Sequence, residues 1–333
     1  MKSLETNYLG LKLKNPIIIG SSGLTDTPEK NSALEKAGAS AIVLKSLFEE
    51  QIMVNSTNIV EYSGYTQASS YIKNYVHSHK LSDYLELIKG TKRLCSIPII
   101  ASINCYKSGE WANFAHQIEL AGADAIELNI YFINTDGNLE SNILEQSYVN
   151  IVTQTRKAIK IPILVKMGKQ FTNLVRITEE LLAAGANSIV LFNHYYQPDI
   201  NLKTMEVVQG DTFTSPSDFG NTLRWTSLIN SSVKNANIVS STGVHDWENM
   251  AKAILVGAKA VEICSTVYKN GNGVIAEILK NLEEWMEEHK YSSIDDFSGK
   301  LIYGNSQNPT LFERAQFMKY YSDSNHKGEI YYS

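Results

Sequence analysis

The sequence predicts one (β/α)8 barrel, or TIM barrel, formed by residues 1–333 as a single domain. Two families of apolar segments alternate along the chain, and amphipathic stretches separate them. Together they give eight strand–helix units, and this regular alternation is typical of a parallel α/β fold. The segments are apolar throughout instead of alternating with polar residues, which indicates strands covered on both faces.

The first family places an apolar run directly after a small-residue turn at the end of an amphipathic stretch. Glycine commonly ends a helix, so this pattern predicts a junction between a helix and the buried strand that follows it. The pattern occurs four times, in AGASAIVLKS (37–46), AGADAIELNI (121–130), AGANSIVLFN (184–193) and VGAKAVEICS (256–265).

The second family consists of apolar runs, three of which are introduced by proline. Proline lacks a backbone donor and is tolerated at the first residue of a strand. These runs are NPIIIGSS (15–22), IPIIASIN (97–104), IPILVKMG (161–168) and NANIVSST (235–242). Helices are predicted between the strands, at 29–37, 110–121, 143–159, 173–184, 219–234 and 246–256.

A doubly wound open sheet could also hold eight parallel strands. We favour the closed barrel because each predicted strand ends in polar residues, as the catalytic rim of a barrel requires. Before the first strand, LETNYLGLKLKNP (4–16) predicts a hairpin that closes the barrel floor. Residues 47–82 are long for one connection and are predicted to form a lid after strand two. From about residue 304, a surface helix and a loose end are predicted.

Composition favours a small-molecule partner. The chain is 43% hydrophobic and 20% charged, with a formal net charge of −5. No basic run offers a footprint for nucleic acid or an anionic membrane. No segment resembles a secretory signal or is apolar enough to cross a bilayer, so a cytoplasmic protein is expected. Cys95, Cys105 and Cys264 are too far apart in sequence to suggest a disulfide framework or a metal site.

Polar and small residues at the predicted strand ends form the candidate site. In chain order they are Ser21, Ser22, Gly23, Lys45, Ser46, Asn104, Glu127, Asn129, Lys166, Asn193, His194, Ser241, Thr242, Gly243, Cys264, Ser265 and Thr266. The last six follow strands seven and eight, where backbone N–H groups and a helix N-terminus commonly hold phosphate in barrels.

Lys45 and Lys166 end strands that are otherwise apolar. A buried ammonium is costly unless it meets an anionic or strongly polar partner. An electron-rich cofactor would supply such a partner. The alternative is that both lysines pair with carboxylates such as Glu127.

The ordered strand ends resemble those of the class 1 dihydroorotate dehydrogenases. The likeness rests on NPIIIGSSGLTDT, IVLKS, AIELNI, ILVKMG, IVSSTG and IDDFSGKL (294–301), and it extends from Leu4 to about Leu301. It implies a barrel of pyrimidine metabolism that binds flavin mononucleotide (FMN) and forms a homodimer. In that family the flavin takes a hydride from C6 of dihydroorotate, while a base on the loop after strand four removes the C5 proton.

Carried onto this chain, the resemblance implies roles for individual residues. Lys166 would lie near the N1–O2 edge of the flavin, where its charge stabilises the reduced ring. Other residues implied to contact the flavin are Ser21, Ser22, Gly23, Lys45, Ser46, Asn129 and Asn193. Those implied around the phosphate are Ser241, Thr242, Gly243, Cys264, Ser265 and Thr266. Asn134 and Asn193 would bind the substrate.

The chain departs from the family pattern after strand four. Asn-Leu-Ser-Cys-Pro-Asn is replaced by Asn-Ile-Tyr-Phe-Ile-Asn (129–134), and Phe132 takes the place of the base. A phenyl ring cannot accept a proton, so a contribution of typically about 10²–10⁴-fold is lost. EYSGYTQASSYI (61–72) also lacks the family's substrate loop, and Ser-Ser-Thr-Gly (240–243) replaces Gly-Thr-Gly-Gly.

Tyr131 is our first candidate for a replacement acid or base. Tyrosine can deliver a proton beside a carbonyl in flavin-dependent alkene reduction, although Tyr131 could equally be a packing residue. The other candidates for catalysis are Lys45, His194, Cys105 and Tyr195. The sequence therefore predicts an FMN-dependent oxidoreductase acting on a CH–CH bond of a small cyclic or conjugated substrate. Two alternatives stay open: a flavin-binding regulator or scaffold without turnover, and a flavin-free barrel enzyme for a phosphorylated metabolite.

Overall fold

The structure is a computed structural model that describes residues 2–48, 81–105, 111–131, 133–195, 197–307 and 309–313. Its strands are β1 (Thr6–Tyr8), β2 (Leu11–Leu13), β3 (Ile17–Ile19), β4 (Ala41–Val43), β5 (Leu47–Phe48), β6 (Ile99–Cys105), β7 (Ala125–Ile130), β8 (Ile163–Met167), β9 (Ser188–Leu191), β10 (Pro198–Asn201), β11 (Glu206–Gln209), β12 (Ile238–Ser241) and β13 (Ala260–Ile263). Its helices are α1 (Pro28–Lys36), α2 (81–94), α3 (Trp111–Leu120), α4 (Ser141–Ala158), α5 (Leu174–Ala183), α6 (Phe219–Ser232), α7 (Trp247–Leu255), α8 (Ser265–Asn270), α9 (Val274–Glu288) and α10 (Thr310–Glu313).

Eight parallel strands close into a barrel, as the sequence predicts. The order around the barrel is β3, β4, β6, β7, β8, β9, β12 and β13, and β13 pairs with β3 to complete the circle. Pairing of β4 with both β3 and β6 closes the sheet, so the open-sheet alternative is wrong. Because all eight strands run in the same direction, their carboxyl ends meet at one rim.

The N-terminal hairpin plugs the other end of the barrel. β1 and β2 pair in antiparallel fashion, and Tyr8 and Leu13 are buried in an apolar cluster with residues of the barrel strands, including Ile18 and Val190. The Tyr8 hydroxyl donates a hydrogen bond to Ser188 Oγ over 2.8 Å. The predicted barrel floor is thus confirmed, and the rim at the carboxyl end remains to hold a site.

Alternation along the strands carries polar residues into the barrel above this floor. Ala125 on β7 belongs to the floor cluster, so Glu127 and Asn129 lie on the same face of the strand. Leu164 and Lys166 on β8, and Ala260 and Glu262 on β13, are related in the same way. Glu127, Lys166 and Glu262 thus form a charged layer between the apolar floor and the rim.

The connections after β4 and β9 contain short additional strands. The predicted lid lies outside the described residues except at 47–48, where β5 pairs with β6, and at 81–82, where α2 is already helical. The antiparallel pair β10–β11 after β9 is not predicted by the sequence. α10 falls within the predicted C-terminal surface helix. Within the described ranges, no helix is both long and apolar enough to span a membrane.

Candidate functional site

A cavity of about 420 Å³ opens at the carboxyl rim of the barrel. The sequence-predicted residues that line it are Ser21, Ser22, Lys166, Asn193, His194, Ser241, Thr242, Gly243, Cys264, Ser265 and Thr266. Residues that the sequence reading missed are Phe192, Thr212, Phe213, Thr214, Val244, Glu262 and Tyr268. The structure therefore brings together most of the predicted strand-end residues.

Hydroxyl groups join the ends of β3, β4 and β6 beside the cavity. Ser21 Oγ lies 2.9 Å from Ser46 Oγ and accepts a hydrogen bond from the Ser46 backbone N–H, and Ser46 Oγ lies 2.8 Å from Ser102 Oγ. A Cβ atom on Gly23 would lie only 2.9 Å from the Tyr268 hydroxyl oxygen. This wall of the cavity is therefore closely packed, and Gly23 is a place where a larger residue would displace a cavity residue.

The predicted asparagines separate into two groups. Asn193 Nδ2 donates a hydrogen bond to Asn129 Oδ1 over 2.8 Å, which links the ends of β9 and β7. Asn134 is exposed, and its side chain forms hydrogen bonds with the backbone of Asp136. Asn129 and Asn193 thus form one amide pair at the rim, whereas Asn134 belongs to a solvent-facing turn.

The two predicted lysines differ in burial. Lys166 is 9% exposed and lines the cavity, as expected. Lys45 is exposed, so the expectation of a second buried ammonium is wrong. Lys45 lies in the segment between β4 and β5, where its neighbours Leu44 and Ser46 are buried but its own side chain is exposed.

Lys166 forms a buried ion pair with Glu262, with Nζ and Oε2 separated by 2.5 Å. Burial alone would lower the pKa of Lys166, but the charge of Glu262 and its hydrogen bond with Lys166 raise it above its ordinary value. The carboxylate alternative from the sequence is therefore realised for Lys166, with Glu262 instead of Glu127 as its direct partner. The cavity floor holds a fixed ammonium with an anion beside it.

Glu127 is the third member of this charged layer. It is fully buried, and its carboxyl group lies within hydrogen-bonding reach of that of Glu262. Burial raises its pKa well above the ordinary value, the charge of Glu262 raises it further, and Lys166 opposes the rise. A carboxyl group in this environment keeps its proton, so Glu127 is neutral beside the ion pair.

The raised pKa of Glu127 has a measurable effect on stability. A group that binds its proton more tightly when folded stabilises the protein below its unfolded pKa, here 4.5, and this contribution is lost as pH rises. Between pH 5 and 7 we expect the free energy of unfolding of wild-type protein to fall, relative to Glu127→Gln, by up to about 1.4 kcal/mol per pH unit. Urea unfolding of both proteins at pH 5, 6 and 7 measures this, and parallel curves would contradict it.

The turn after β12 is held in a fixed conformation by side-chain hydroxyls. Thr242 and Gly243 both have positive φ, 73° and 86°. The hydroxyl of Thr222 donates to the carbonyl oxygens of Ser241 and Thr242, and the Thr242 hydroxyl donates to the carbonyl oxygen of Phe192 over 2.6 Å. Within the described residues, no acceptor is found for the backbone N–H groups of Gly243 and Val244, both of which line the cavity. The turn therefore offers preorganised donors.

Alanine at position 243 is expected to disrupt this turn. A Cβ there would lie 2.3 Å from the backbone nitrogen of Phe219, and positive φ is itself unfavourable for alanine. Strain of this kind costs about 1–3 kcal/mol, so Gly243→Ala is expected to lower the free energy of unfolding by at least that amount. Denaturant titration checks this, with Gly220→Ala on α6 as the control because its Cβ meets nothing within 4 Å. Equal stability of the two variants would contradict the strain argument.

The hydroxyls after β13 are already engaged within the protein. Ser265 Oγ accepts a hydrogen bond from the Thr214 backbone N–H over 3.0 Å, and the Thr266 hydroxyl donates to the Val244 carbonyl oxygen over 2.6 Å. Thr214 Oγ1 lies 2.9 Å from His245 Nε2. Burial lowers the pKa of His245, so the ring is neutral at pH 7. An anion at this end of the cavity would therefore meet backbone donors in preference to a charged side chain.

Two tyrosines stack at the ends of β7 and β9. The ring centroids of Tyr131 and Tyr195 are 3.9 Å apart, with the planes 20° from parallel. Burial raises the pKa of both hydroxyls. His194 lines the cavity, and its buried Nε2 has no hydrogen-bond partner among the described residues. Phe132 and the side chain of Cys105 lie outside the described residues. Of the predicted candidates for moving a proton, Tyr131, Tyr195, His194 and Lys45 lie within the described residues, and of these four His194 lines the cavity.

Comparison with known proteins gives a consistent result. The family model described as "Dihydroorotate dehydrogenase" matches residues 3–286. The catalytic subunit of dihydroorotate dehydrogenase B (NAD(+)) from Thermoplasma volcanium is 25% identical over 307 residues, which cover 91% of this chain and 99% of the relative. A putative dihydroorotate dehydrogenase A (fumarate) from Aeropyrum pernix is also 25% identical, with 89% of this chain and 96% of the relative covered. The similarity thus spans the whole barrel.

Proposed function

Because this chain belongs to the dihydroorotate dehydrogenase family, we propose that it is an FMN-dependent oxidoreductase acting on a CH–CH bond of a small cyclic or conjugated substrate. The observation that carries this proposal is the composition of the rim cavity. The cavity is lined by the buried Lys166 ammonium and by the turn at Gly243 and Val244, whose backbone N–H groups have no acceptor within the described residues. A ligand with an electron-accepting ring and a phosphate group has both features that this cavity recognises.

The residues that line the cavity fit both the phosphate group and the ring of FMN. Backbone donors in a turn of positive φ form a concave anion site without needing a cationic side chain. His194 Nε2 is a buried polar atom without a partner in the described chain, and a ligand hydroxyl or ring group would satisfy it. Bound FMN would supply the two-electron chemistry that the side chains of this cavity lack. Lys166, Asn193 and the hydroxyls of Ser21 and Ser22 would hold and orient it.

Tyr131 is the residue that we propose moves a proton at the substrate. A tyrosine hydroxyl is protonated at neutral pH, and burial raises the pKa of Tyr131 further. A protonated phenol can donate a proton but does not act as a base. The site therefore favours proton delivery to carbon, as in reduction of a conjugated double bond. The stack against Tyr195 fixes the ring orientation, and the Asn129–Asn193 amide pair lies at the same rim.

The proposal is tested by anaerobic single-turnover reactions of FMN-loaded protein. We expect the absorbance of reduced flavin to change within seconds on mixing with a cyclic enone or another conjugated acceptor, and only slowly with orotate. Removing the acid by Tyr131→Phe is expected to slow the step by about 10²–10⁴-fold, whereas His194→Gln serves as the comparison that assigns the proton to one residue. The assignment fails if His194→Gln is the slower variant, and the proposed function fails if no CH–CH substrate reacts.

A flavin-binding protein without turnover is a second candidate. It is favoured by Phe132 in the place of the family's base and by the tyrosine stack at the rim. Flavin that binds but exchanges electrons with none of the dihydropyrimidines, enones or pyridine nucleotides tried would support it.

We also propose that the protein forms a homodimer. The β10–β11 segment exposes apolar side chains, with Leu202, Met205 and Val207 each more than 70% exposed. An exposed apolar hairpin of this kind marks a surface suited to a partner chain.

A further inference from the structure

Glu262 is a cavity residue to which the family resemblance assigns no role. Its side chain is 1% exposed, it lines the same cavity as Lys166, and its Oε2 lies 2.5 Å from Lys166 Nζ. The buried carboxyl group of Glu127 lies next to it, within hydrogen-bonding reach. An anion therefore sits beside the ammonium that the proposed function places next to the flavin.

The barrel wall fixes the position of this anion. Glu262 lies within β13 and is paired in register with Ile18 of β3 and Ser241 of β12. A Cβ on Gly20 would lie 3.3 Å from Glu262 Oε2, so the carboxylate packs closely against the end of β3. The Lys166–Glu262 pair is thus held by three strands, and a ligand entering the cavity meets the pair already formed.

The net charge of the buried cluster determines how strongly the Lys166–Glu262 pair acts on a bound ligand. Glu127 is buried in the same layer and keeps its proton, so it adds no charge. The cluster then holds one positive and one negative charge. In a buried site of low dielectric constant, opposite charges in contact largely cancel the field that either would exert on a neighbouring group.

We propose that Glu262 lowers the reduction potential of the bound flavin by neutralising Lys166. This inference rests on the proposed function. Reduction of a flavin by two electrons and one proton leaves a negative charge at the N1–O2 edge of the ring. A free ammonium would stabilise that charge, whereas an ion-paired ammonium stabilises it less. The reduced flavin is therefore a stronger electron donor, which suits the reduction of a conjugated substrate.

The test compares the flavin midpoint potentials of FMN-loaded Glu262→Gln and Glu127→Gln, measured anaerobically against a dye of known potential. At fixed potential, the double variant Glu127→Gln, Glu262→Gln is expected to increase the ratio of reduced to oxidised flavin at least tenfold, which is about 30 mV for a two-electron couple. Glu127→Gln replaces one neutral group by another and is expected to leave the potential unchanged. Glu262→Gln alone is expected to give a smaller rise, because Glu127 can ionise beside Lys166 once Glu262 is neutral.

Equal shifts in the two single variants, or a wild-type potential in the double variant, would overturn the proposal. If Glu262→Gln does not fold, Lys166→Met, Glu262→Met keeps it testable, because apolar residues often replace a buried ion pair without loss of stability. Removing both charges is expected to leave the potential near that of wild-type protein, and a much lower potential would show that Lys166 acts as a free charge. Wild-type protein that binds no FMN would defeat the proposed function as well, whereas bound FMN with unshifted potentials would defeat this inference alone.

Discussion

Replacing Lys166 by methionine is expected to lower the free energy of unfolding by about 3–5 kcal/mol at pH 7, because it leaves the Glu262 carboxylate buried without a counter-ion. Chemical denaturation of the flavin-free protein at pH 7 measures the effect.

Two variants serve as controls for this result. Lys45→Met removes an exposed lysine from the same rim and is expected to change stability by no more than about 0.5 kcal/mol. Lys166→Met, Glu262→Met removes both charges and is expected to recover most of the stability lost by the single variant. A Lys166→Met protein as stable as Lys45→Met would show that the buried ion pair contributes nothing.

Cysteine at position 132 is expected to give the protein dihydroorotate oxidation. The resemblance places Phe132 where the family carries its base, and a positioned base contributes about 10²–10⁴-fold. The rate at which dihydroorotate bleaches bound FMN under anaerobic conditions should therefore rise by that factor in Phe132→Cys. Residue 132 lies outside the described residues, so this expectation comes from the sequence alone.

Phe132→Ala distinguishes the effect of a missing base from the effect of the space that the phenyl ring fills. Alanine removes the ring but supplies no proton acceptor, so it is expected to remain close to wild-type protein. Equal activity of the cysteine and alanine variants would show that the phenyl ring acts by blocking the substrate. If both variants are inert, the altered segment at 61–72 excludes dihydroorotate.

The architecture was predictable because two independent patterns repeat along the chain. Each of the eight predicted strands overlaps one barrel strand, and the hairpin before β3 plugs the floor as expected. β10–β11 was not predictable in this way, because PDIN (198–201) begins at proline and contains a single apolar side chain beyond it. Exposed strands leave little hydrophobic pattern for a sequence reading to detect.

Site residues at the strand ends were predictable, but a site residue within a strand was not. Glu262 lies in the middle of an apolar run, and reading only the last residues of each strand passes over it. Alternation from the floor residue Ala260 through Glu262 to Cys264 carries the signal that would have found it. The burial of Lys45 was predicted wrongly because it follows an apolar strand and lies between buried neighbours, whereas its own side chain is exposed.

Binding of FMN is the measurement that decides whether this rim cavity is a cofactor site. We expect purified wild-type protein to show the visible absorbance of flavin, and protein stripped of cofactor to quench the fluorescence of added FMN until about one molecule is bound per chain. Colourless protein that leaves the fluorescence of added FMN unchanged would contradict the account.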